Sequence, residues 1–196
     1  MKKLMKKKLA LMLSNLKRKR PFYTEVEYLE STGTQYIDTG FVLNSTKKVS
    51  VGFSVSSNQE SKVPMGVYDG TNWTYIVYAY GSNGLVTFNN STSNTLGSFN
   101  SNRHDVSVDY KNLTYTYDGV SNTLAGTPRD YELNLYLFGR NNRGTPDAFF
   151  NGLKVYYLRA YDNGVLIRNM IPVLDWDYVP CMYDKVSGQL FYNQGS

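Results

Sequence analysis

The stretch from residue 153 to residue 172, LKVYYLRAYDNGVLIRNMIP, decides the fold of this chain. Two runs rich in β-branched and aromatic residues flank Asn163-Gly164, a pair that accepts the positive φ angles of a type I′ turn, so the sequence predicts a β-hairpin. Strict alternation gives its first strand two faces, one with Tyr156, Leu158 and Ala160 and the other with Leu153, Val155 and Tyr157. Because both faces are apolar or aromatic, the strand is typical of a two-layer sandwich.

Outward from this hairpin, short β-type runs alternate with turn clusters from Pro21 onward, which is the pattern of an all-β sandwich or barrel. In the run 48–55, Val49, Val51, Phe53 and Val55 alternate with small residues, which predicts a strand with one buried face. Residues 89–102 are rich in Asn and Ser, and they are predicted to form a long exposed loop. Further strands are expected near residues 25–29, 35–38, 65–68, 74–80, 85–88, 105–110, 113–117, 132–138 and 189–192.

The composition fits one β-rich domain with a short appendage. The chain has 196 residues, of which 15% are aromatic, and this length and composition suit a single domain built from sheet. Cys181 is the only cysteine, so an intrachain disulfide and a Cys-rich zinc site are excluded. His104 is the only histidine, which excludes a metal site built from several histidines.

The net charge of +5 originates at one end of the chain. Residues 1–20 hold seven Lys and two Arg and no acidic residue, whereas the 12 basic and 16 acidic residues that follow give the remainder a formal charge of −4. An acidic body argues against a nucleic-acid-binding surface on the body itself. We therefore divide the chain into a basic arm, residues 1–21, and a β-sandwich domain, residues 22–196.

The basic arm is the one convincing helix candidate in the sequence. Apolar side chains recur in it at spacings of three and four, so they form a stripe along one helix face, and Pro21 ends the pattern. The expected anchoring residues are Lys2, Lys3, Met5, Lys6, Lys7, Leu9, Met12, Leu13, Leu16, Arg18 and Arg20. Docking into a protein assembly is the favoured role, and a solvated tail, attachment to a membrane surface and contact with nucleic acid are the alternatives. A secretory signal is a further alternative, but Asn15 and the basic cluster 17–20 stand where a small-residue cleavage site should be.

Two stretches of the body resemble the opening and closing strands of laminin-G-like, concanavalin A-like jelly-roll domains. They are Tyr28 to Gly40, YLESTGTQYIDTG, and Arg168 to Tyr192 with its IPV, PCMYDKVSG and LFYNQG segments. Such domains occur in gut bacterial surface proteins and in bacteriophage structural proteins. The resemblance covers residues 23–196 and implies two stacked antiparallel sheets with the first and last strands close together. It does not fix a ligand, because relatives include sugar binders, adhesion modules and structural decorations.

The stretch EVEYLE is superficially similar to the carboxylate strand of sandwich-fold glucanases. Retaining enzymes need a nucleophile and an acid about 5 Å apart, whereas Glu25 and Glu30 in an unbulged strand face opposite sides. Glu25, Glu27 and Glu30 are therefore interpreted as solvated positions on an edge strand. No catalytic residue is expected in the chain.

Three further residues, His104, Asp175 and Asp177, are candidates for functional chemistry. His104 is expected at the surface or at a cap, because neighbouring Asp105 points to the other face and any Ser-His-Asp arrangement would need distant partners. Asp175 and Asp177 could offer two oxygens to calcium at the rim of the sandwich, but the sequence contains no full calcium-loop signature. No cofactor is expected, with calcium as the alternative.

Four aromatic residues are candidates for a glycan-binding platform, since aromatic faces pack against the C–H surfaces of sugar rings. They are Trp73, Tyr75, Tyr78 and Tyr80. By strict alternation Trp73 and Tyr75 share one face of their strand, and Tyr78 and Tyr80 share the other. At least one of the two pairs is therefore expected in the core.

The first functional hypothesis is a non-enzymatic structural protein of a bacteriophage virion, such as a capsid decoration, head fibre or tail component. The arm would fix the protein to a capsid or tail protein and display the sandwich on the outer surface. There the sandwich would either stabilise the shell or bind glycans weakly, with several copies giving avidity. The alternative is a carbohydrate-binding or adhesion module of a bacterial cell surface. A glycoside hydrolase is the third hypothesis.

Overall fold

The computed structural model describes residues 23–56, 62–80, 84–98 and 100–196, and for Tyr80 it describes only the backbone. The basic arm lies outside the described residues, so its helix and its anchoring residues stay predictions. All regular structure in the described residues is β-strand. Across these ranges, no helix has the length and apolar character needed to cross a membrane.

Eighteen strands make up the described part of the domain. They are β1 (Tyr23–Glu25), β2 (Leu29–Thr32), β3 (Ile37–Val42), β4 (Lys47–Val55), β5 (Met65–Tyr68), β6 (Trp73–Tyr80), β7 (Gly84–Asn89), β8 (Thr92–Ser98), β9 (His104–Asp109), β10 (Thr114–Tyr117), β11 (Val120–Thr123), β12 (Asn134–Leu137), β13 (Gly139–Asn142), β14 (Thr145–Asp147), β15 (Asn151–Asp162), β16 (Val165–Asp175), β17 (Pro180–Asp184) and β18 (Gln189–Tyr192).

The strands form two sheets. The larger sheet has the order β11-β10-β9-β4-β15-β16-β17-β18, with β1 paired to β16 and β2 paired to β15. The smaller sheet has the order β14-β13-β5-β6-β7-β8, with β12 paired to β3 and β5. Neighbouring strands are antiparallel, except that β13 runs parallel to β5. The predicted all-β, two-sheet antiparallel sandwich is confirmed.

The core lies between the two sheets. From β4 of the larger sheet, Val49, Val51, Phe53 and Val55 are almost completely buried, as their alternation predicts. They belong to one apolar cluster with Ile76 and other side chains of the smaller sheet. Burial of such residues stabilises the fold by about 1.5–3 kcal/mol each. The domain is therefore held together mainly by contacts between strands that are far apart in the sequence.

The hairpin predicted at Asn163-Gly164 joins β15 to β16. The φ angles are 47° at Asn163 and 84° at Gly164, which a type I′ turn requires. The strict alternation predicted for β15 is wrong, because the pairing with β4 shifts register between Val155 and Tyr157. This β-bulge directs four side chains together into the core: Leu153, Val155, Leu158 and Ala160. Tyr156 and Tyr157 are left half-buried.

The long loop predicted for residues 89–102 is also wrong, because this stretch contains β8, which pairs with β7 at the edge of the smaller sheet. Leu96 is its single apolar residue in the core. Asn94 is also buried, and its Oδ1 accepts a hydrogen bond of 2.7 Å from the backbone N–H of Ala125. Because the polar Asn94 occupies one of the two buried positions of β8, the sequence lacks the hydrophobic alternation by which a strand is predicted.

The opening and closing segments of the domain meet, as the family resemblance implies. The backbone N–H of Gln194 donates to the carbonyl of Tyr36 at 2.9 Å, and Asn193 Oδ1 accepts from the Tyr36 N–H at 3.1 Å. Arg168 of β16 adds a connection between the sheets, because its Nε and Nη2 donate to the carbonyls of Thr39 and Gly40 in β3 at 3.2 and 3.1 Å.

Candidate functional site

The outer face of the smaller sheet carries a second, separate apolar cluster that contains three of the four residues of the predicted platform. The pairing of β6 with β7 shifts register between Tyr75 and Tyr78. Ile76 and Val77 both point into the main core and are fully buried. Tyr75, Tyr78 and Trp73 therefore share the outer face. The predicted separation of Trp73 and Tyr75 from Tyr78 on opposite faces is wrong, and the Tyr80 side chain is not described.

Aromatic rings pack closely in this cluster. The ring centroids of Tyr75, Tyr78 and Phe88 lie 5.5 to 5.6 Å from one another. The Trp73 ring is 6.2 Å from Phe88 and 6.1 Å from Tyr68, in edge-on orientations. These distances are in the favourable range for aromatic pairs, so each ring is held in place by its neighbours.

The rings surround a pocket of about 460 Å³, within the range usual for small-ligand sites. The residues that line this aromatic pocket are Val63, Tyr68, Trp73, Tyr75, Tyr78, Phe88 and Arg140. Tyr75 is buried, whereas Trp73, Tyr68 and Tyr78 are half-buried and present aromatic surface to the pocket. Tyr68, Phe88 and Arg140 were not predicted as site residues, because these side chains come from three other strands, β5, β7 and β13.

Gly66 of β5 makes room for the base of the aromatic pocket. A Cβ atom at this position would lie 2.4 Å from Cδ1 of Tyr75 and 3.0 Å from the carbonyl oxygen of Thr74. Real Cβ contacts are never this short, so the Tyr75 ring can lie across β5 only because residue 66 has no side chain. The glycine thus places the Tyr75 hydroxyl within reach of Arg140.

Arg140 is the one charged residue among the described residues that line the aromatic pocket. Its Nε donates to Oδ1 of Asp147 at 2.7 Å and its Nη2 donates to Oδ2 at 2.6 Å, so the pair is bidentate. Its Nη1 donates to the Tyr75 hydroxyl at 2.8 Å. The guanidinium also lies 5.0 Å from the centre of the Tyr68 ring, in a cation–π contact.

The charges of this pair are fixed at neutral pH. Burial by itself raises the pKa of Asp147, but hydrogen bonds from Arg140 and Asn142 and the positive charges of Arg140 and Lys62 outweigh it, so the net shift is downward. The hydrogen bond to Asp147 raises the pKa of Arg140. Burial raises the pKa of the Tyr75 hydroxyl. The site therefore holds a neutral phenol beside an ion pair whose charges cancel.

The three glutamates of EVEYLE are exposed. Glu25 lies 3.4 Å from Nζ of Lys185 and Glu30 lies 3.9 Å from Nζ of Lys154. In these pairs the glutamate side chains remain 60% and 42% exposed, so both carboxylates are solvated, as predicted.

The surface position expected for His104 is wrong, since the residue is only 4% exposed. Its Nδ1 lies 2.7 Å from Asp118 and its Nε2 lies 2.9 Å from Oδ1 of Asn100. The ring also stacks on Tyr117 with a centroid distance of 5.1 Å. Asp118 belongs to the turn between β10 and β11, so His104 ties that hairpin to β9.

The carboxylate of Asp175 stabilises the turn between β16 and β17. Its Oδ1 accepts the backbone N–H groups of Asp177 and Val179, each at 2.9 Å, and its Oδ2 accepts the Tyr192 hydroxyl at 2.8 Å. The bond from Val179 is the main cause of a lowered pKa at Asp175. Within the described residues, no group of three His, Cys, Asp or Glu side chains is placed to hold a metal ion, and the calcium alternative stays untested.

No family model matches the chain, and no curated protein matches it. Among solved structures it is similar to the CBM40 of Ruminococcus gnavus IT-sialidase bound to α2,3 sialyllactose, with 16% identity over 70% of this chain and 90% of that chain and a TM-score of 0.46. The same CBM40 alone, and bound to α2,6 sialyllactose, gives 15% identity over 67% and 90% of the two chains, with TM-scores of 0.45 and 0.43.

Proposed function

We propose that this domain is a non-enzymatic, concanavalin A-like carbohydrate-binding sandwich whose binding site is the aromatic pocket, and that its ligands are neutral sugars. The observation that carries the proposal is the set of half-buried rings of Tyr68, Trp73 and Tyr78 around one paired arginine. Aromatic faces bind the C–H surfaces of sugar rings, and a few fixed polar groups orient the hydroxyls. Of the predicted platform, Trp73, Tyr75 and Tyr78 meet in this pocket.

The electrostatics of the pocket favour a neutral ligand over an acidic one. Three N–H groups of Arg140 are already donated, and its charge is compensated by Asp147 at 2.6 Å. An acidic sugar would have to compete with Asp147 or to approach it against charge repulsion. Lys62, the other cation that acts on this pair, is exposed, so its field is screened by solvent. The hydroxyl groups of a neutral sugar can accept hydrogen bonds from the remaining N–H groups of Arg140, and they bring no negative charge near Asp147.

The absence of a free carboxylate among the described pocket residues supports a binding role rather than hydrolysis. None of the seven lining residues is an acid, and Asp147 is engaged by Arg140 and Asn142. Glycoside hydrolysis by the usual mechanism needs two carboxylates that flank the scissile bond. The glutamates of β1 and β2 lie on the larger sheet instead.

Glycan-array binding followed by calorimetry tests this proposal. The wild-type domain should bind neutral glycans, and Trp73→Ala should lower the affinity about two- to twelvefold, because one aromatic stacking contact contributes about 0.5–1.5 kcal/mol. Tyr161→Ala, on β15 of the larger sheet, is the matched aromatic control and should bind like the wild type. Equal affinities of the wild type and Trp73→Ala would exclude the aromatic pocket as the site.

Display on a bacteriophage particle is the second candidate, and the observation that favours it is the basic amphipathic pattern of residues 1–20. Such an arm can bury its apolar stripe in a partner and pair its lysines with acidic side chains. In co-sedimentation with purified particles at moderate salt, the full chain should sediment and a chain that starts at Pro21 should not. Sedimentation of both would assign the contact to the body. A cleaved signal would instead support display on a bacterial cell surface.

A further inference from the structure

The turn between β16 and β17 exposes a compact aromatic patch. Trp176 is 61% exposed, Tyr178 is 78% exposed and Val179 is 43% exposed. We call these three residues the tip patch. The φ angle of Tyr178 is 61°, which a bulky residue rarely adopts. The Asp175 carboxylate and the bond from the Tyr178 N–H to the Asp175 carbonyl, at 3.1 Å, hold the turn in this shape. The aromatic side chains are therefore displayed by a well-braced turn.

The tip patch continues into an apolar pocket of about 460 Å³ between the first and last strands. Val179 belongs to both, and Val26, Leu29, Leu174 and Pro180 are among the other lining residues. Together they form a surface that is apolar at its base and aromatic at its rim. An exposed apolar surface of this kind marks an interaction site in soluble domains.

The basic arm joins the domain beside this surface. β1 pairs antiparallel with β16, with Tyr23 opposite Asp175 and Thr24 opposite Leu174. The chain that precedes Tyr23 therefore enters at the end of β16 that leads into the tip patch. Arg20 is three residues from Tyr23, so an extended chain keeps it within about 10 Å of that strand. The arm can reach the tip patch without any rearrangement of the body.

The chemistry of the two segments is complementary. The arm carries nine positive charges, and the predicted helix would align Leu9, Leu13 and Leu16 along one face. The tip patch offers aromatic faces to Lys and Arg, which bind them through cation–π contacts. Asp177, within the turn, is exposed and forms no ion pair with any of the residues that the structure describes. It is thus available to a cation of the arm.

We propose that the tip patch and the apolar pocket next to it are the docking surface for the basic arm of the same chain. Leucine side chains of the arm cover Val179 and the pocket, while lysines and arginines lie over Trp176 and Tyr178 and pair with Asp177. Docking would bury the leucine side chains of the arm against the apolar pocket. This inference is independent of the glycan-binding proposal, because the two pockets have no lining residue in common.

Limited trypsin digestion of the full chain tests the proposal, with cleavage after Lys17, Arg18 and Lys19 followed by mass spectrometry. A docked arm is cut only in its undocked fraction, so Trp176→Ala should raise the cleavage rate about fivefold. Asp177→Lys, a surface change that keeps the backbone bond to Asp175, should raise it as well. Val165→Ala is the control, because Val165 is an equally exposed apolar residue at the opposite end of β16.

The outcomes separate the possible occupants of the surface. Faster cleavage in both tip variants, with the control and the thermal unfolding midpoints unchanged, would support docking. Equal rates in the wild type, Trp176→Ala and Asp177→Lys would overturn it. A rate that falls as the protein concentration rises would assign the surface to the arm of a second copy, since only an intermolecular contact follows mass action, and this too would overturn docking within one chain.

Discussion

Replacement of Asp147 by Asn tests the neutral-sugar proposal directly, because it removes the charge that compensates Arg140. The amide of Asp147→Asn is isosteric with the carboxylate and keeps one oxygen to accept from the guanidinium. The pair is partly exposed, with side-chain exposures of 22% for Arg140 and 33% for Asp147. We therefore expect a loss of only about 1 kcal/mol in the free energy of unfolding, and the pocket should remain folded.

The effect on ligand charge can be estimated from the geometry. The closest oxygen of Asp147 is 2.6 Å from Arg140, so an acidic group hydrogen-bonded to the far edge of the guanidinium would lie about 7 Å from the Asp147 carboxylate. At an effective dielectric constant of about 40, one unit of charge repulsion at about 7 Å is worth roughly 1.2 kcal/mol. Its removal should raise the affinity for an acidic glycan about eightfold.

Calorimetry with lactose and α2,3 sialyllactose provides the assay, run at two salt concentrations. The wild type should favour the neutral sugar, and Asp147→Asn should move the preference towards the sialylated one, more strongly at low salt. Arg140→Gln in the Asp147→Asn background is the control and should lose the gain. Preference of the wild-type domain for the acidic sugar would refute the electrostatic argument while leaving a sugar site, whereas no binding of any glycan would refute the proposed function.

Three further predictions concern the fold and its titrating groups. Gly66→Ala should cost about 1–3 kcal/mol in urea unfolding, because its Cβ collides with the Tyr75 ring, and a cost below about 0.5 kcal/mol would contradict the described packing. Asp184→Ala should cost about 3 kcal/mol, since fully buried Asp184 accepts the Asn169 N–H at 2.8 Å and two loop N–H groups. Burial raises the pKa of Asp184, but these bonds outweigh it and the net pKa is lowered. Its stabilising contribution is therefore present above the unfolded pKa of about 3.9 and is lost as the pH falls through the lower folded pKa, and a smaller acid-induced loss is expected in Asp184→Asn. Cys181 is fully buried and burial raises the pKa of its thiol to about 11, so thiol reagents at pH 8 should modify it only in denaturant, and rapid labelling of the native protein would contradict its burial.

Features set by neighbouring residues could be predicted from the sequence. The Asn163-Gly164 turn needs only the φ preferences of two residues, and the burial of Val49, Val51 and Phe53 follows from period-two alternation. The alternation fails where the chain inserts an extra residue, as it does between Val155 and Tyr157. A bulge arises from how two distant strands pair, and a single strand's sequence does not contain that information.

The candidate site shows the same limit more sharply. Trp73, Tyr75 and Tyr78 could be identified as candidates because they are aromatic and close in sequence. That they lie on the same face of the sheet could not be predicted, because it depends on the β-bulge in the pairing of β6 with β7. Arg140 comes from β13. It reaches the pocket because β13 pairs with β5 and because Gly66 leaves room for the Tyr75 ring, whose hydroxyl Arg140 contacts. A local sequence pattern can therefore identify candidate aromatic residues, but the charged residue beside them is determined by how distant strands pair.

The residues that carry the family resemblance belong to the fold rather than to the aromatic pocket. Arg168 joins the carbonyls of Thr39 and Gly40 to β16, and it lies 3.8 Å from Asp184, which braces the turn before β18. These residues come from both quoted stretches, and together they connect β3 with β16 and β17. The resemblance consequently predicts how the sheets close and says nothing about a ligand, which agrees with the diversity of functions on such sandwiches.

The basic arm and the aromatic pocket lie at different places on the domain. The basic arm enters through β1, which is paired to β16 of the larger sheet, whereas the aromatic pocket opens on the outer face of the smaller sheet. The tip patch and the pocket beside it share no residue with the aromatic pocket, so an arm held at the tip patch, or transferred from it to a partner, does not obstruct the aromatic pocket. Attachment through the larger sheet would thus leave the rings of Trp73 and Tyr78 facing outward, which is the geometry that multivalent binding of weak glycan ligands requires.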